Sequence, residues 1–168
     1  MMAMIGVSAA GFLLSDGEKR RVHWVRAMRR CLGRMGSMIR YEQPALGELL
    51  ARIDLRATAQ ERELTQLLHR CAGRLHTSAN PQLSLIFAAE SARVRGYGVL
   101  SREDRSAFES VLSELGRTRL SEQLRMLDAA DERLRAREEA LDRESGMRAR
   151  LIRTLGVCTG AAAFLILV

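Results

Sequence analysis

The side chains that could do chemistry are few and scattered. Histidine occurs at His23, His69 and His76, cysteine at Cys31, Cys71 and Cys158, and a short acidic run at Glu138, Glu139 and Asp142. No histidines are spaced as an HExxH or His-x-x-x-His ligand pair. His69 and Cys71, two residues apart, would leave a helix on different faces. The cysteines have no CxxC spacing, so neither a disulfide framework nor a zinc site is indicated, which fits a reducing cytoplasm. Glu138, Glu139 and Asp142 read as the solvated face of an exposed helix. There is no P-loop, no GxSxG and no dinucleotide-binding glycine pattern, and Gly96-Tyr97-Gly98 reads as a turn. Nothing brings a nucleophile, a base and an orienting group together. The sequence reads as a non-enzyme with no metal and no cofactor.

The elements that would position any site are helical. With 2 Pro and 4% aromatics in 168 residues, and with Leu, Ala, Arg and Glu dominant, the composition favours an all-α body of one domain. From Glu18 to Tyr41, Val22, Val25, Met28, Leu32, Met35 and Ile39 recur at steps of three and four, one face of a helix whose middle Gly33 and Gly36 weaken. Pro44 suits the first turn of a second helix carrying Leu46, Leu49, Leu50 and Ile53. Thr58 with Glu61 forms a capping box for a third, with Leu64, Leu67, Leu68, Cys71 and Leu75. His76 to Pro81 is a break. Leu83, Ile86, Phe87 and Val94 mark a fourth helix, ended by Gly96 and Gly98. Ser101 with Asp104 caps a fifth, with Phe108, Val111, Leu112 and Leu115, and Gly116 stops it.

The last helix begins near Thr118 and runs into the C-terminal apolar end. Leu120, Leu127, Leu134 and Leu141 are seven apart. A coiled coil needs a second apolar position in each heptad. Leu124 supplies one, but Asp131 and Glu138 take the next two, so this helix is expected to pack within its own domain near its start and to project beyond Leu141 as a polar stalk.

Both ends are free of charge, from Met1 to Leu14 and from Thr154 to Val168. Hydrocarbon cannot solvate charge, so the expected organisation is an N-terminal membrane segment (1–15), a cytoplasmic helical domain with a long last helix (16–147), and a basic flank with a C-terminal membrane segment (148–168). Each run rises about 21–23 Å as a helix against about 30 Å of hydrocarbon, so spanning requires a thinned bilayer or snorkelling arginines. Gly6 with Ala10, and Gly156 with Gly160, are small-xxx-small pairs that would let two membrane helices approach.

The net charge of +7 is unevenly placed. Residues 16–40 hold eight basic side chains against Asp16 and Glu18, while residues 41–147 are net −2. The excess flanks the two ends, with Lys19, Arg20 and Arg21 on one side and Arg148, Arg150 and Arg153 on the other. This distribution follows the positive-inside rule, places the middle in the cytoplasm, and argues for lipid and against nucleic acid as partner. Arginine outnumbers lysine 26 to 1, a ratio read as coding bias.

Three stretches resemble the stage III sporulation protein AB family of endospore-forming bacteria. Ile39-Arg-Tyr41-Glu-Gln-Pro44-Ala-Leu46 resembles the family's Ile-x-Tyr followed by Pro-Leu. Leu115-Gly116-Arg-Thr118, with Gln123 seven residues after the glycine, resembles its Leu-Gly-x-Ser/Thr-Asp-x-x-x-Gln segment. Arg153-Thr-Leu-Gly156-Val and the small apolar tail resemble its C-terminal anchor. Arg119 departs from the family's Asp, and Phe87 stands where a Trp is common. The resemblance implies a membrane-anchored, non-enzymatic component of the channel or secretion-like complex between mother cell and forespore, acting from the mother-cell side. It also implies a helical bundle similar to the cytoplasmic domains of type II secretion platform proteins. The partners would be other proteins of that complex, among them a secretion-type ATPase coupled to membrane partners. Ile39, Tyr41, Pro44, Leu115, Gly116 and Gln123 would then shape a contact surface.

Two other readings compete. One is a peripheral lipid- or nucleic-acid-binding helical protein whose apolar ends are buried in its own core. The other is a platform protein of another secretion system, although 168 residues without an internal repeat argue against it.

Overall fold

The computed structural model describes the backbone of residues 3–77 and 82–167 and the side chains of residues 17–77 and 82–144. Among the described residues six α-helices and one 3₁₀ turn follow in order: α1 (Ala3–Tyr41), α2 (Leu46–Ala51), α3 (Ala59–Thr77), α4 (Leu83–Ser91), the turn Arg95–Val99, α5 (Arg102–Glu114) and α6 (Leu120–Leu167). Among the described residues there is no strand, and no helix is long and apolar enough to cross a membrane. The expected membrane runs, with Gly6, Ala10, Gly156 and Gly160 and the flanking Arg148, Arg150 and Arg153, lie outside the residues whose side chains are described.

α1 and α6 form the spine. Arg29 meets Asp131 and Glu138, Arg26 meets Glu138 and Asp142, and Gly36 lies against Leu127. Rising numbers on α1 thus face falling numbers on α6, and the two helices are antiparallel. Gly33 and Gly36 do not break α1: a ladder flanked by buried Cys31, Leu32 and Met35 outweighs their roughly 1 kcal/mol propensity cost each. The core face matches the expected periodicity, with Val22, Val25, Met28, Leu32, Met35 and Ile39 all buried. On α6, Leu127, Leu134 and Leu141 are buried while Leu120 is exposed. Packing therefore continues along α6 through Leu141 and is not confined to its start.

Both expected capping boxes form. Glu61 N donates to Thr58 Oγ1 at 3.2 Å while Thr58 N donates to the Glu61 carboxylate at 3.1 Å. Ser101 and Asp104 repeat the arrangement at the start of α5. Several boundaries differ from expectation. α3 runs on through His76 and Thr77, the first residues of the expected break, whose remainder at 78–81 lies outside the described residues, and Ile53 lies beyond the end of α2. α2 starts at Leu46 with Ala45 as its N-cap, so Pro44 precedes the helix and is not in its first turn. α4 ends at Ser91, ahead of the glycines, because Arg95–Val99 forms a separate 3₁₀ turn. That turn inserts Tyr97 into the core, edge-on to Trp24 and to Phe87 at centroid separations of 5.7 Å each. Phe87 in turn touches Phe108 at 5.9 Å. This aromatic chain ties α1, α4, the turn and α5 together, each contact adding about 0.5–1.5 kcal/mol beyond its buried area.

Candidate functional site

Three carboxylates are buried among the described residues, and arginine meets each of them. Asp104, fully buried, accepts from Arg21 Nε and from Arg137 Nε at 2.8 Å. Glu61 pairs with Arg30 at 2.6 Å. Glu90 receives Arg70, Arg74 and Arg93 at 3.1, 3.0 and 3.3 Å. Burial pushes the Asp104 carboxyl up, but hydrogen bonds from Arg21, Arg137 and the Ser101 backbone outweigh it and hold the group below the usual carboxylate range. Glu138 behaves likewise: burial raises it, and Arg26 and Arg29 bring it down further. These acids are structural ion-pair partners. Of the acidic run expected on a solvated face, Glu138 is drawn into this network, while Glu139 and Asp142 stay exposed.

The network revises the reading of the basic segment. Arg21, expected as a membrane-flanking base, has its side chain committed to Asp104. Arg26, Arg29 and Arg30 are likewise paired with acids of the helical body, and Arg30, Lys19 and Arg20 are exposed. The arginine excess has a structural use too. Arg29 addresses Asp131 through Nε and Nη2 while its Nη1 reaches Glu138, a forked geometry that lysine cannot supply.

His69, His76, Cys31 and Cys71 take local structural roles. His69 Nε2 lies 2.8 Å from the Ile53 carbonyl oxygen, and His76 packs where Gly47 has no Cβ. Cys31 and Cys71 are buried free thiols. Burial pushes the Cys31 thiol up; burial, and next the Glu90 charge, push Cys71 up to about 12. Neither is a nucleophile at neutral pH. Among the described residues no group of histidine, cysteine, aspartate or glutamate could hold a metal ion.

A concave surface lies at the far end of the spine, where α1 ends and α6 begins. An open groove of about 250 Å³ is lined by Ile39, Gln43, Pro44, Leu46, Leu49, Leu115, Gly116, Leu120 and Gln123. Five of the six residues expected to shape a contact surface line it, although 65 residues of sequence, from Leu49 to Leu115, separate its two halves. The sixth, Tyr41, ends α1 and is 81% exposed. Within this group Ile39 and Leu115 are buried and belong to the core. Gly116 has φ 81°, the left-handed conformation that stops α5. Gln123 Nε2 donates to the Thr118 carbonyl at 2.7 Å and holds the entry to α6. Tyr41 and Leu120 present apolar surface to solvent.

Gln43 was not singled out from the sequence. It has φ 47°, unusual for a side-chain-bearing residue, with its N–H donating to the Met38 carbonyl at 3.2 Å. The following Pro44 was the available signal: a proline just past a helix demands a sharp, fixed stop. This stop turns the chain back so that α2 forms one wall of the groove.

The groove thus gathers the stretches Ile39–Leu46 and Leu115–Gln123. A family model described as stage III sporulation protein AB matches residues 1–168, the whole chain. The chain belongs to the stage III sporulation protein AB family. Membership gives it a sporulation-related role. No curated protein and no solved structure matches it.

Proposed function

We propose that this member of the stage III sporulation protein AB family is a non-enzymatic, membrane-anchored component of the complex between mother cell and forespore. Its helical body works on the mother-cell side as platform-type domains of type II secretion do, joining a cytoplasmic secretion-type ATPase to membrane partners. The reading rests on one observation. The antiparallel spine brings α1 in and takes α6 out at one end of the body, while the groove lies at the other. Two apolar termini leaving the same end can enter one membrane. The surface that Tyr41 and Leu120 expose is then held away from lipid, facing the cytoplasm, where a protein partner can reach it.

The test is co-purification of the full-length chain from sporulating cells, together with fractionation of their membranes. The chain is expected to resist release by carbonate or high salt and to bring down a secretion-type ATPase and small membrane proteins. A Tyr41→Ala, Leu120→Ser variant should keep the membrane association and lose those partners. Release of the intact chain by salt would favour the peripheral lipid- or nucleic-acid-binding alternative. Retention on the membrane without any such partner would remove the coupling role.

A further inference from the structure

The connection between α4 and α5 carries a surface that docking at the groove does not use. Residues 93–102 read Arg-Val-Arg-Gly-Tyr-Gly-Val-Leu-Ser-Arg, with three arginines and no acid. Tyr97 and Leu100 are buried and pin the segment to the core. Arg93, Arg95, Val99 and Arg102 are exposed, and Val99 is one of four large apolar side chains left exposed among the described residues.

Its place in the fold gives the surface a direction. Tyr97 meets Trp24 edge-on, and Asp104, just beyond the segment, bonds to Arg21. Both α1 residues lie near the end where α1 enters and α6 leaves, opposite the groove. Lys19 and Arg20 are exposed close by. The acids facing the segment are already engaged. Glu90 is buried and shared by Arg70, Arg74 and the 65% exposed Arg93 itself, Glu63 lies beside Gly96, Glu103 accepts from the Ser101 hydroxyl, and Glu109 accepts from the Tyr97 hydroxyl at 3.1 Å. Arg93 and Arg95 also join Arg70 on the wall of a polar hollow of about 260 Å³.

We propose that this connection is a peripheral lipid contact, in which Arg93, Arg95 and Arg102 take headgroup phosphates of an anionic membrane and Val99 enters the interfacial layer. The inference rests on the reading that the termini are held in that membrane. Basic side chains alone would fit any polyanion. An exposed valine among arginines, pinned by a buried tyrosine at the end where both membrane runs leave, fits a lipid surface. Each arginine near an anionic surface favours contact about fivefold, so the three together shift the ratio of docked to undocked connection by about a hundredfold.

The experiment uses the full-length chain with Cys158→Ala and Val99→Cys carrying an environment-sensitive dye. It is reconstituted into vesicles of brominated phosphatidylcholine, with or without phosphatidylglycerol. Leu85→Cys, exposed in the first turn of α4, serves as the control position. Quenching at position 99 should rise with phosphatidylglycerol, fall with salt, and disappear when Arg93, Arg95 and Arg102 are all replaced by glutamine, while position 85 stays unquenched. Absence of quenching at position 99 in chains that still sediment with the vesicles overturns the lipid contact and leaves the anchoring intact. Equal, salt-insensitive quenching at both positions also overturns it. Failure of the chain to sediment at all overturns the anchoring on which the inference rests.

Discussion

Arg29 on α1 reaches Glu138 on α6 with Nη1 2.7 Å from Oε2, across 109 residues of sequence. Glu138 occupies a seam position where a coiled coil would place leucine, and it also accepts from Arg26. The seam is therefore part apolar and part ionic, and the two parts fix register between the same pair of helices. Replacing Glu138 by alanine strips both arginines of a partner that is 15% exposed at its side chain. A loss of about 1.5–3 kcal/mol is expected, the range for hydrogen bonds to charged groups. Glu132→Ala, which removes a 3.7 Å pair with Arg135 whose side chains are both more than half exposed, should cost at most about 0.5 kcal/mol. Denaturant unfolding of the full chain in detergent measures both, and equal effects would show that the seam ion pairs add nothing.

The same acids set the acid limit of stability. Asp104 and Glu138 have folded-state pKa values below those of the unfolded chain, about 3.9 and 4.3. A depressed carboxylate contributes stability that is fully present above its unfolded value and is lost as pH falls through the folded one. Thermal stability should be level from neutral pH down to about 5 and drop below about 4. Asp104→Asn should be less stable at neutral pH and show a shallower acid drop. A wild-type melting temperature unchanged at pH 3 would contradict the assignment.

Local signals in the sequence translated well into structure, and pairings did not. Thr58 with Glu61 and Ser101 with Asp104 are short-range patterns whose partners lie three residues apart, and both form as read. The leucine and methionine face of α1 is periodic and was equally legible. Arg21 reads as a membrane flank, and Arg26, Arg29 and Arg30 count only toward the basic excess of 16–40, because their partners at 61, 104, 131, 138 and 142 are invisible without the fold. Asp131 and Glu138 looked like interruptions for the same reason. Trp24 and Tyr97 are single aromatics with no periodic partner, so nothing in the sequence announced the cluster they build. The groove residues were legible through their resemblance to a family pattern, which gave positions but not the jobs of Gly116 and Gln123 as turn and brace.

The two left-handed residues beside the groove should respond in opposite directions. Gln43 has a side chain at φ 47°, and Gly116 has none at φ 81°. A left-handed conformation costs a side-chain-bearing residue about 1–2 kcal/mol. Gln43→Gly should therefore raise stability by about 1 kcal/mol, after the greater unfolded-state freedom of glycine is allowed for. Gly116→Ala should lower it by about 1–2 kcal/mol. Space does not decide the second case, since an added Cβ would meet Leu46 at an ordinary 3.6 Å. Paired unfolding curves suffice, and destabilisation by Gln43→Gly would mean that the side chain makes an unrecognised contribution to the groove.

Gly96 presents a different constraint, one of room. A Cβ built there would stand 2.5 Å from Glu63 Oε2, 2.9 Å from Trp24 Nε1 and 3.1 Å from Trp24 Cζ2. The Glu63 carboxylate is the tip of a flexible, partly exposed side chain and can swing away at little cost. Trp24 cannot, because it is 1% exposed and wedged against Tyr97. Gly96→Ala must displace either the indole or the 3₁₀ turn, and overpacking of this kind costs about 1–3 kcal/mol. The chain has one tryptophan, so its fluorescence reports the site directly. The emission of the folded variant should move toward the red as the indole gains water, while Gly98→Ala, with nothing within 4 Å of its added carbon, should leave emission and stability close to wild type. An unshifted spectrum and full stability in Gly96→Ala would mean that the turn does not approach Trp24 this closely, and the aromatic chain from α1 to α5 would lose its first link.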